Sequence, residues 1–204
     1  RVFGSPEFFR LWLAQVVSAT GDWLGLLAIS LLAIRIGSGS EGAALSMVLA
    51  ARIIPGFFFG PIAGVLVDRW NRKRVMVTCD VCRAIVMVSL PFVDTIWGLV
   101  LASLVLEAFT MLWSPAKEAS VPNLVPAEYL TTANSLSVVA AYGTFPVGAA
   151  LMVLFGRLST ALFSSSWADN LMLGEEGLAF YANSLTFLVA AFLIVTFPLP
   201  LRPK

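Results

Sequence analysis

The chain has 204 residues, of which 59% are hydrophobic, and its 13 basic and 12 acidic residues leave a net charge of +1. Charged residues make up only 12% of the sequence, against roughly 25% in soluble domains, and the mean hydropathy is +0.90. This composition excludes a soluble domain and, because there is no basic arm, a nucleic-acid-binding protein.

Six apolar stretches are long enough, at about 20 residues, to cross a bilayer as helices. They cover residues 11–36, 44–67, 75–93, 96–113, 136–155 and 178–198. Helix breakers mark several of the expected ends, namely Gly37, Pro91, Pro115 and Pro198. The sequence therefore predicts a single all-α membrane domain of six transmembrane helices, with both termini on the same side of the membrane.

The basic residues predict the orientation of these spans. With the N-terminus in the cytoplasm, nine basic residues fall on the cytoplasmic side: Arg1, Arg10, Arg69, Arg72, Lys73, Arg74, Lys117, Arg202 and Lys204. Only Arg35 and Arg157 fall outside, and Arg52 and Arg83 lie within spans. Because basic residues concentrate in cytoplasmic loops, we expect both termini in the cytoplasm and the protein in the cell membrane.

The turn after the second span concentrates charge in the stretch "GVLVDRWNRKR", Gly64 to Arg74. Topology explains its basic residues, but it does not explain Asp68. This acid follows a ladder of Gly56, Gly60 and Gly64, which are spaced to lie on one helix face. Small residues on one face allow another helix to approach closely, so the second span is expected to offer a contact stripe that ends in a carboxylate.

This stretch resembles the signature turn between helices two and three of the major facilitator superfamily. That pattern is Gly, three residues, Asp, a basic residue, any residue, Gly and two basic residues. Gly64, Asp68, Arg69, Arg72 and Lys73 match it. Asn71 replaces the second glycine, and asparagine is the next most tolerant residue for a left-handed turn.

Other stretches extend the resemblance over nearly the whole chain. "PEFFRLWLAQVVSATGDWL", "LVPAEYLTTANSL" and the pair Asp80 and Arg83 are similar to the drug and siderophore exporter branch, which includes macrolide-efflux and enterobactin-exporter-like proteins. "YGTFPVGAAL" keeps Pro146 and Gly148 of the helix-five motif of antiporters, but it has Phe145 where glycine is expected.

The resemblance implies the N-terminal six-helix half of a longer transporter, with a C-terminal half of the same chain as its partner. It also implies that the signature turn is a conformational latch, formed by the matching residues Gly64, Asp68, Arg69, Arg72 and Lys73. Asp80 and Arg83 would complete its charge network. The alternative for the turn is a topology anchor with ordinary snorkelling side chains.

Polar residues at helical spacing predict the lining of a pathway. Gln15, Ser18, Asp22 and Gly25 share one face of the first span, and Ser103, Glu107, Thr110 and Ser114 share one face of the fourth. Asn134 begins a similar face on the fifth span, and Arg52 lies within the second. Asp22 is either a proton or substrate site or the structural partner of Arg52, and Glu107 is either a coupling or substrate residue or a helix-packing residue.

Other features have simpler interpretations. Cys79 and Cys82 are interpreted as small residues in a packed helix, and no metal or cofactor is expected. The six tryptophans are interpreted mainly as an interfacial belt. The acidic loop 156–177 is interpreted as a solvated loop, and the alternative is a lid.

The favoured function is proton-coupled, alternating-access efflux of a small lipophilic compound. Two other classes are an enzyme within the membrane and a degenerate six-helix module that anchors or regulates a soluble domain. The chain has no histidine and no nucleophile motif, which argues against the enzyme.

Overall fold

The computed structural model describes residues 5–162 and 176–196, and every regular element in this part of the chain is a helix. The α-helices are α1 (Pro6–Ile36), α2 (Glu41–Asp68), α3 (Arg72–Ser89), α4 (Ile96–Ser120), α5 (Leu130–Tyr142), α6 (Phe145–Leu162) and α7 (Gly177–Val195). Short 3-10 helices cover Leu90–Phe92, Val121–Asn123 and Ala127–Tyr129.

Among the described residues, six helical stretches are long and apolar enough to cross a membrane. They are Pro6–Ile36, Glu41–Gly60, Arg72–Phe92, Ile96–Asn123, Ala127–Ser159 and Gly177–Val195. The predicted all-α membrane protein with six spans is therefore confirmed. The outermost predicted positions, including Arg1, Arg202, Lys204 and the end of the last span at Pro198, lie outside the described residues, as does most of the loop 156–177.

Successive spans run in opposite directions through the bundle. We call the end that holds the α2–α3 turn the turn end; it also holds the start of α1 and the ends of α4 and α7. Helix α1 packs against α7, α6, α2 and α5, whereas α3 packs against α4 and α7, and α2 packs mainly against α4. One apolar cluster, which includes Leu11, Met76 and Ile194, lies toward the turn end, and a second, which includes Leu32 and Leu99, lies toward the opposite end.

Helix α4 is longer than its sequence predicts. It was expected to end at residue 113, before Pro115, but it continues through this proline to Ser120. A proline removes one backbone donor, and helices packed in a membrane bundle tolerate this loss. As a result Lys117, which was counted as a basic residue of a cytoplasmic loop, lies within α4 and is buried.

The fifth span is interrupted where an unbroken helix over 136–155 was expected. It begins earlier, and a turn at Gly143 and Thr144 separates α5 from α6. Pro146 has no N–H with which to continue the helical hydrogen bonds across this point. At the turn, the Thr144 hydroxyl donates to the carbonyl of Ala140 at 3.0 Å, and the N–H of Gly148 donates to the carbonyl of Thr144 at 3.0 Å.

Gly148 allows α6 to approach α1 closely. A Cβ atom at this position would lie 2.8 Å from Trp23 Cβ and 3.1 Å from the backbone nitrogen of Leu24. The first span makes a similar approach to α7, where a Cβ at Gly25 would lie 2.2 Å from Asn183 Nδ2. Gly25 therefore packs between helices, although its spacing had placed it on the stripe expected to line the pathway.

We expect Gly148→Ala to destabilise the protein by about 1–3 kcal/mol, because the new methyl group meets backbone and Cβ atoms that cannot rotate away. Gly156→Ala on the same helix is the matched control, since a Cβ there meets no atom of the described residues within 4 Å. The control should be neutral or slightly stabilising, as alanine favours helix more than glycine does. Thermal unfolding of the two purified variants in detergent compares them, and equal midpoints would contradict the close approach.

Candidate functional site

Charged side chains from three helices meet inside the bundle. Arg83 of α3 donates from Nη1 to Asp22 Oδ2 of α1 at 3.2 Å. Arg52 of α2 lies on the other side of the same carboxylate, with its Nη2 atom 3.9 Å from Asp22 Oδ1. Asp22 is therefore shared between two guanidinium groups, and the closer one belongs to Arg83.

Arg83 and Asp80 form the buried part of this charge cluster. Their side chains are 1% and 0% exposed. Arg83 Nη2 donates to Asp80 Oδ1 and, at 3.2 Å, to Ser18 Oγ. The Trp113 indole N–H donates to Asp80 Oδ2 at 3.1 Å, so both carboxylate oxygens have partners.

Aromatic rings hold the guanidinium of Arg83 as well. Its Cζ atom lies 4.3 Å from the ring centre of Phe187 and 5.5 Å from that of Trp113. Both distances are within the range of cation–π attraction. A buried charge needs this combination of ion pair, hydrogen bonds and aromatic contact to offset its desolvation.

The remaining charges line a cavity of about 300 Å³ between α1, α2 and α4. Its lining residues are Gln15, Ser18, Ala19, Asp22, Trp23, Leu26, Leu49, Arg52, Ile53, Arg83, Glu107, Thr110, Trp113, Ser114 and Ala141. The side chain of Asp22 is 27% exposed and that of Arg52 is 10% exposed. Most other lining groups are apolar, so the cavity offers a few charges within an apolar wall.

Three groups at this cavity retain bonding capacity. Asp22 Oδ1 and Arg52 Nη1 are buried, and neither has a hydrogen-bond partner among residues 5–162 and 176–196. Glu107 makes no hydrogen bond or ion pair within the same ranges and lines the cavity. Gly56 of α2 faces this side chain, since a Cβ there would be in ordinary contact with Glu107 Oε1 at 3.5 Å. These groups can bind the polar part of a ligand.

A second cavity, of about 530 Å³, continues toward the turn end. It shares Gln15, Trp113, Ser114 and Ala141 with the first. Asn134 and Lys117 are among its other lining residues. The two cavities therefore adjoin each other along α1, α4 and α5, and we call them together the path.

The structure brings the predicted pathway residues together along this path. Gln15, Ser18, Asp22, Arg52, Glu107 and Thr110 line the first cavity, and Asn134 lines the second. Four of them also form hydrogen bonds within the protein. Gln15 Nε2 donates to the carbonyl of Ser137 at 2.9 Å, Ser18 and Asp22 accept from Arg83, and the Thr110 hydroxyl donates to the carbonyl of Leu106 at 3.0 Å.

Two basic residues that directly follow the α2–α3 turn form hydrogen bonds with the C-terminal ends of α4 and α7. Arg72 Nη1 donates to the carbonyl of Ala119 near the end of α4 at 2.7 Å, and Lys73 Nζ donates to the carbonyl of Val195 at the end of α7 at 2.9 Å. Cations are favourable at both places because helix C-termini carry partial negative charge. Asp68 Oδ1 lies 3.8 Å from Arg72 Nη2, and the side chain of Asp68 is 67% exposed.

Asn71 does not act as expected in this turn. A left-handed conformation was expected because asparagine replaces a glycine, but its φ is −71°. Its side chain instead accepts from the N–H of Arg74 at 3.1 Å and caps the N-terminus of α3. Capping is a common role of asparagine and requires no left-handed backbone.

The other predicted latch residues lie in two separate places. Arg69 is exposed, and a Cβ at Gly64 would meet no described atom within 4 Å, so neither packs against this bundle. Arg83 binds both Asp80 and Asp22 in the interior. Asp80 lies eight residues beyond Arg72, which is about 12 Å along α3. Within this part of the chain they thus belong to the charge cluster and not to the turn.

Tryptophans contribute more to the site than the belt interpretation allowed. Trp113 is only 6% exposed, so an interfacial position is wrong for this residue. Trp12 and Trp23 donate from their indole nitrogens to the carbonyls of Leu136 at 2.9 Å and Ala141 at 2.8 Å. Trp113 follows Thr110 by three residues on the predicted polar face of α4, and this spacing was a usable signal.

Comparison with known proteins identifies the family. Residues 3–171 match the profile of the transmembrane secretion effector family. The chain belongs to this family of major facilitator transporters, on its efflux branch, and the family consists of transporters rather than enzymes. No solved structure gives a significant match to the chain.

Individual relatives agree with this assignment. Macrolide efflux protein A of Streptococcus pyogenes is 32% identical over 61% of this chain and 32% of its own length. The uncharacterized MFS-type transporter YfiS of Bacillus subtilis is 30% identical over 62% of this chain and 30% of its own length. The putative bacilysin exporter BacE of Bacillus amyloliquefaciens is 29% identical over 93% of this chain and 44% of its own length. The chain thus spans less than half the length of these relatives.

Proposed function

We propose that this chain is the N-terminal half of a proton-coupled, alternating-access transporter that exports small lipophilic compounds. The observation that carries the proposal is the cavity between α1, α2 and α4, where Asp22, Arg52 and Glu107 lie within an apolar wall. Membership of a transporter family supports it, as do relatives named for macrolide efflux and bacilysin export.

The shape of the cavity suits this function. Its volume of about 300 Å³ lies at the lower end of the range for small-molecule sites. Transporters of this architecture bind their substrate between two related halves near the middle of the membrane. A second six-helix half on the open side of α1, α2 and α4 would enlarge the cavity and complete its wall.

Proton coupling is proposed for the two acids that reach the cavity. Asp22 is partly exposed and keeps one oxygen without a hydrogen-bond partner among the described residues, and Glu107 has no ion pair there. Acids inside a membrane bundle that face a cavity are typical of proton relays. Asp80 is unsuited to this role, because it is fully buried and both of its oxygens are bonded.

The experiment is uptake into inverted membrane vesicles that contain the full-length protein. A panel of lipophilic antibiotics and dyes is offered with and without an imposed proton gradient. The proposal expects gradient-dependent accumulation of at least one compound, which a protonophore abolishes. Absence of accumulation across the panel, with the protein correctly inserted, would count against transport and would favour an anchor module.

We further propose that the turn end faces the cytoplasm and that the protein lies in the cell membrane. The support is the concentration of basic residues in the loops at this end. This concentration remains when Lys117, which lies within α4, is no longer counted. In a cysteine-free background, Ser38→Cys should react with an impermeant thiol reagent in intact cells, and Trp70→Cys should not. Both positions are exposed, so accessibility alone does not separate them. The reverse labelling pattern would invert the topology.

The turn at Asp68 is proposed to be a latch that engages the second half in one conformation. Within this half the Asp68–Arg72 pair is exposed, and such pairs contribute about 0–1 kcal/mol. The carboxylate and Arg69 are therefore available to a partner surface, as are the open positions at Gly60 and Gly64.

We expect Asp68→Asn to leave the unfolding midpoint unchanged yet to slow transport about tenfold. Loss of one charge-assisted hydrogen bond to the other half, worth roughly 1.5–3 kcal/mol, shifts a two-state equilibrium by that factor or more. Asp94→Asn, an exposed acid at the opposite end, is the control and should transport normally. Transport rates and thiol accessibility of both cavity mouths are measured, and unchanged values in Asp68→Asn would leave only the topology-anchor interpretation.

A further inference from the structure

A buried lysine lies beside the path between the two cavities. Lys117 is 5% exposed and lines the second cavity, one turn of α4 from Trp113 and Ser114, which line both. Its Nζ atom donates to Gln15 Oε1 at 3.4 Å. It forms no ion pair with any carboxylate in residues 5–162 and 176–196.

Gln15, the hydrogen-bond partner of Lys117, is held in place, but its hydrogen bond with the lysine is weak. Gln15 Nε2 donates to the carbonyl of Ser137 on α5 at 2.9 Å, which fixes the side-chain amide and turns its oxygen toward the lysine. An ammonium group has three N–H donors, and a neutral oxygen at 3.4 Å satisfies one of them poorly. The ammonium can therefore donate to a further acceptor in the cavity.

The neighbouring acid does not neutralise this lysine. Glu118 lines the same cavity, but it is exposed, its Oε1 atom accepts from Ser114 Oγ at 3.4 Å, and it forms no ion pair with Lys117. A buried cation without a counter-charge is unfavourable, so a site of this kind favours an anion that can reach it. The surrounding wall supplies further polar groups from Asn134 and Ser137.

We propose that Lys117 is an anion subsite of the transport path, where a cargo compound places a carboxylate or another singly charged acidic group. Gln15 positions the ammonium, and the apolar part of the cargo extends past Trp113 into the adjoining cavity. This inference rests on the proposed function and narrows its substrate class to lipophilic compounds that carry one anionic group.

Binding of benzoate to the purified full-length protein tests the subsite without any need for transport. Benzamide is the control ligand, because it has the same ring without the charge. Affinity is measured by isothermal titration in detergent for the wild type, Lys117→Gln, Lys117→Arg and Arg10→Gln. Arg10 is an exposed basic residue at the same end of the bundle and is outside both cavities.

The wild type should bind benzoate in preference to benzamide. Lys117→Gln should weaken benzoate binding at least about tenfold, as expected for the loss of a charge-assisted hydrogen bond. Lys117→Arg should retain most of the affinity, since it keeps the charge, and Arg10→Gln should match the wild type.

Two results would overturn the proposal. The first is benzoate binding that does not exceed benzamide binding, or that survives in Lys117→Gln. The second is a wild type that does not bind benzoate while Lys117→Gln unfolds at a lower temperature, which would show that a carboxylate from the rest of the longer protein occupies the lysine. Failure of the proposed function is separate, because a protein that transports no compound can still bind benzoate at Lys117.

Discussion

Arg83→Met is expected to cause the largest loss of stability of any single change in the charge cluster, about 3–5 kcal/mol. Arg83 is the common partner of Asp80, Asp22 and Ser18, and methionine leaves a fully buried carboxylate with only the Trp113 indole as donor. Removing one member of a buried pair is costly because the other charge stays desolvated. A loss of this size is a large fraction of the stability of an ordinary domain, about 5–15 kcal/mol.

Thermal unfolding and monodispersity of the full-length protein in detergent measure this effect. Arg52→Met is the matched control. It removes only the 3.9 Å contact between Arg52 and Asp22, so it should lower the free energy of unfolding much less. The double variant Asp80→Asn with Arg83→Met removes both buried charges and should recover most of the lost stability. A double variant no more stable than Arg83→Met alone would show that the pair is not an energetic unit.

The second large effect is expected in transport. Asp22→Asn should abolish gradient-driven uptake into inverted vesicles while sparing substrate binding, if Asp22 carries the proton. The fold should survive because Arg83 keeps Asp80 and Ser18 as partners and an asparagine oxygen still accepts from Arg83. Glu107→Gln should have a smaller or substrate-dependent effect, since Glu107 lines the same cavity without an ion pair within the described ranges.

A structural role for Asp22 makes a different prediction. If its main function is to neutralise Arg52, Asp22→Asn should lower the unfolding midpoint, and the double variant Asp22→Asn with Arg52→Gln should restore it. Unfolding and uptake are therefore measured on the same preparations. Full gradient-driven transport by Asp22→Asn would exclude the proton role.

The number of spans and the helix faces that line the two cavities could be predicted because both depend on short-range patterns. Apolar length sets the spans, and a spacing of three or four residues places Gln15, Asp22 and Glu107 on inward faces. The break in the fifth span was missed because Pro146 was interpreted as part of a motif and not as a missing donor. The end of α4 was predicted too early because Pro115 was interpreted as a helix terminus, whereas the helix continues through it.

The partners of the charges could not be predicted from the sequence. Asp22 and Arg83 are 61 positions apart in the chain, and they meet only because α1 and α3 both pack against α7. The sequence therefore predicted Arg83 as part of the charge network of the latch, and it offered Arg52, at similar depth, as the structural partner of Asp22. The burial of Lys117 was also missed, because it depends on how far α4 extends and on which neighbours cover its last turns.

The contacts of Trp23 restrict how the fifth span can move. Its indole donates to the carbonyl of Ala141, just before the break, and its ring lies 5.1 Å from that of Phe145, just after it. Gly148 then packs directly against its Cβ atom. Trp23 of α1 thus contacts both sides of the interruption. If α5 and α6 pivoted against each other, at least one of these contacts would have to break. These contacts couple α5 and α6 to α1, so we expect movement of either helix to move α1 with it or to break a contact with Trp23.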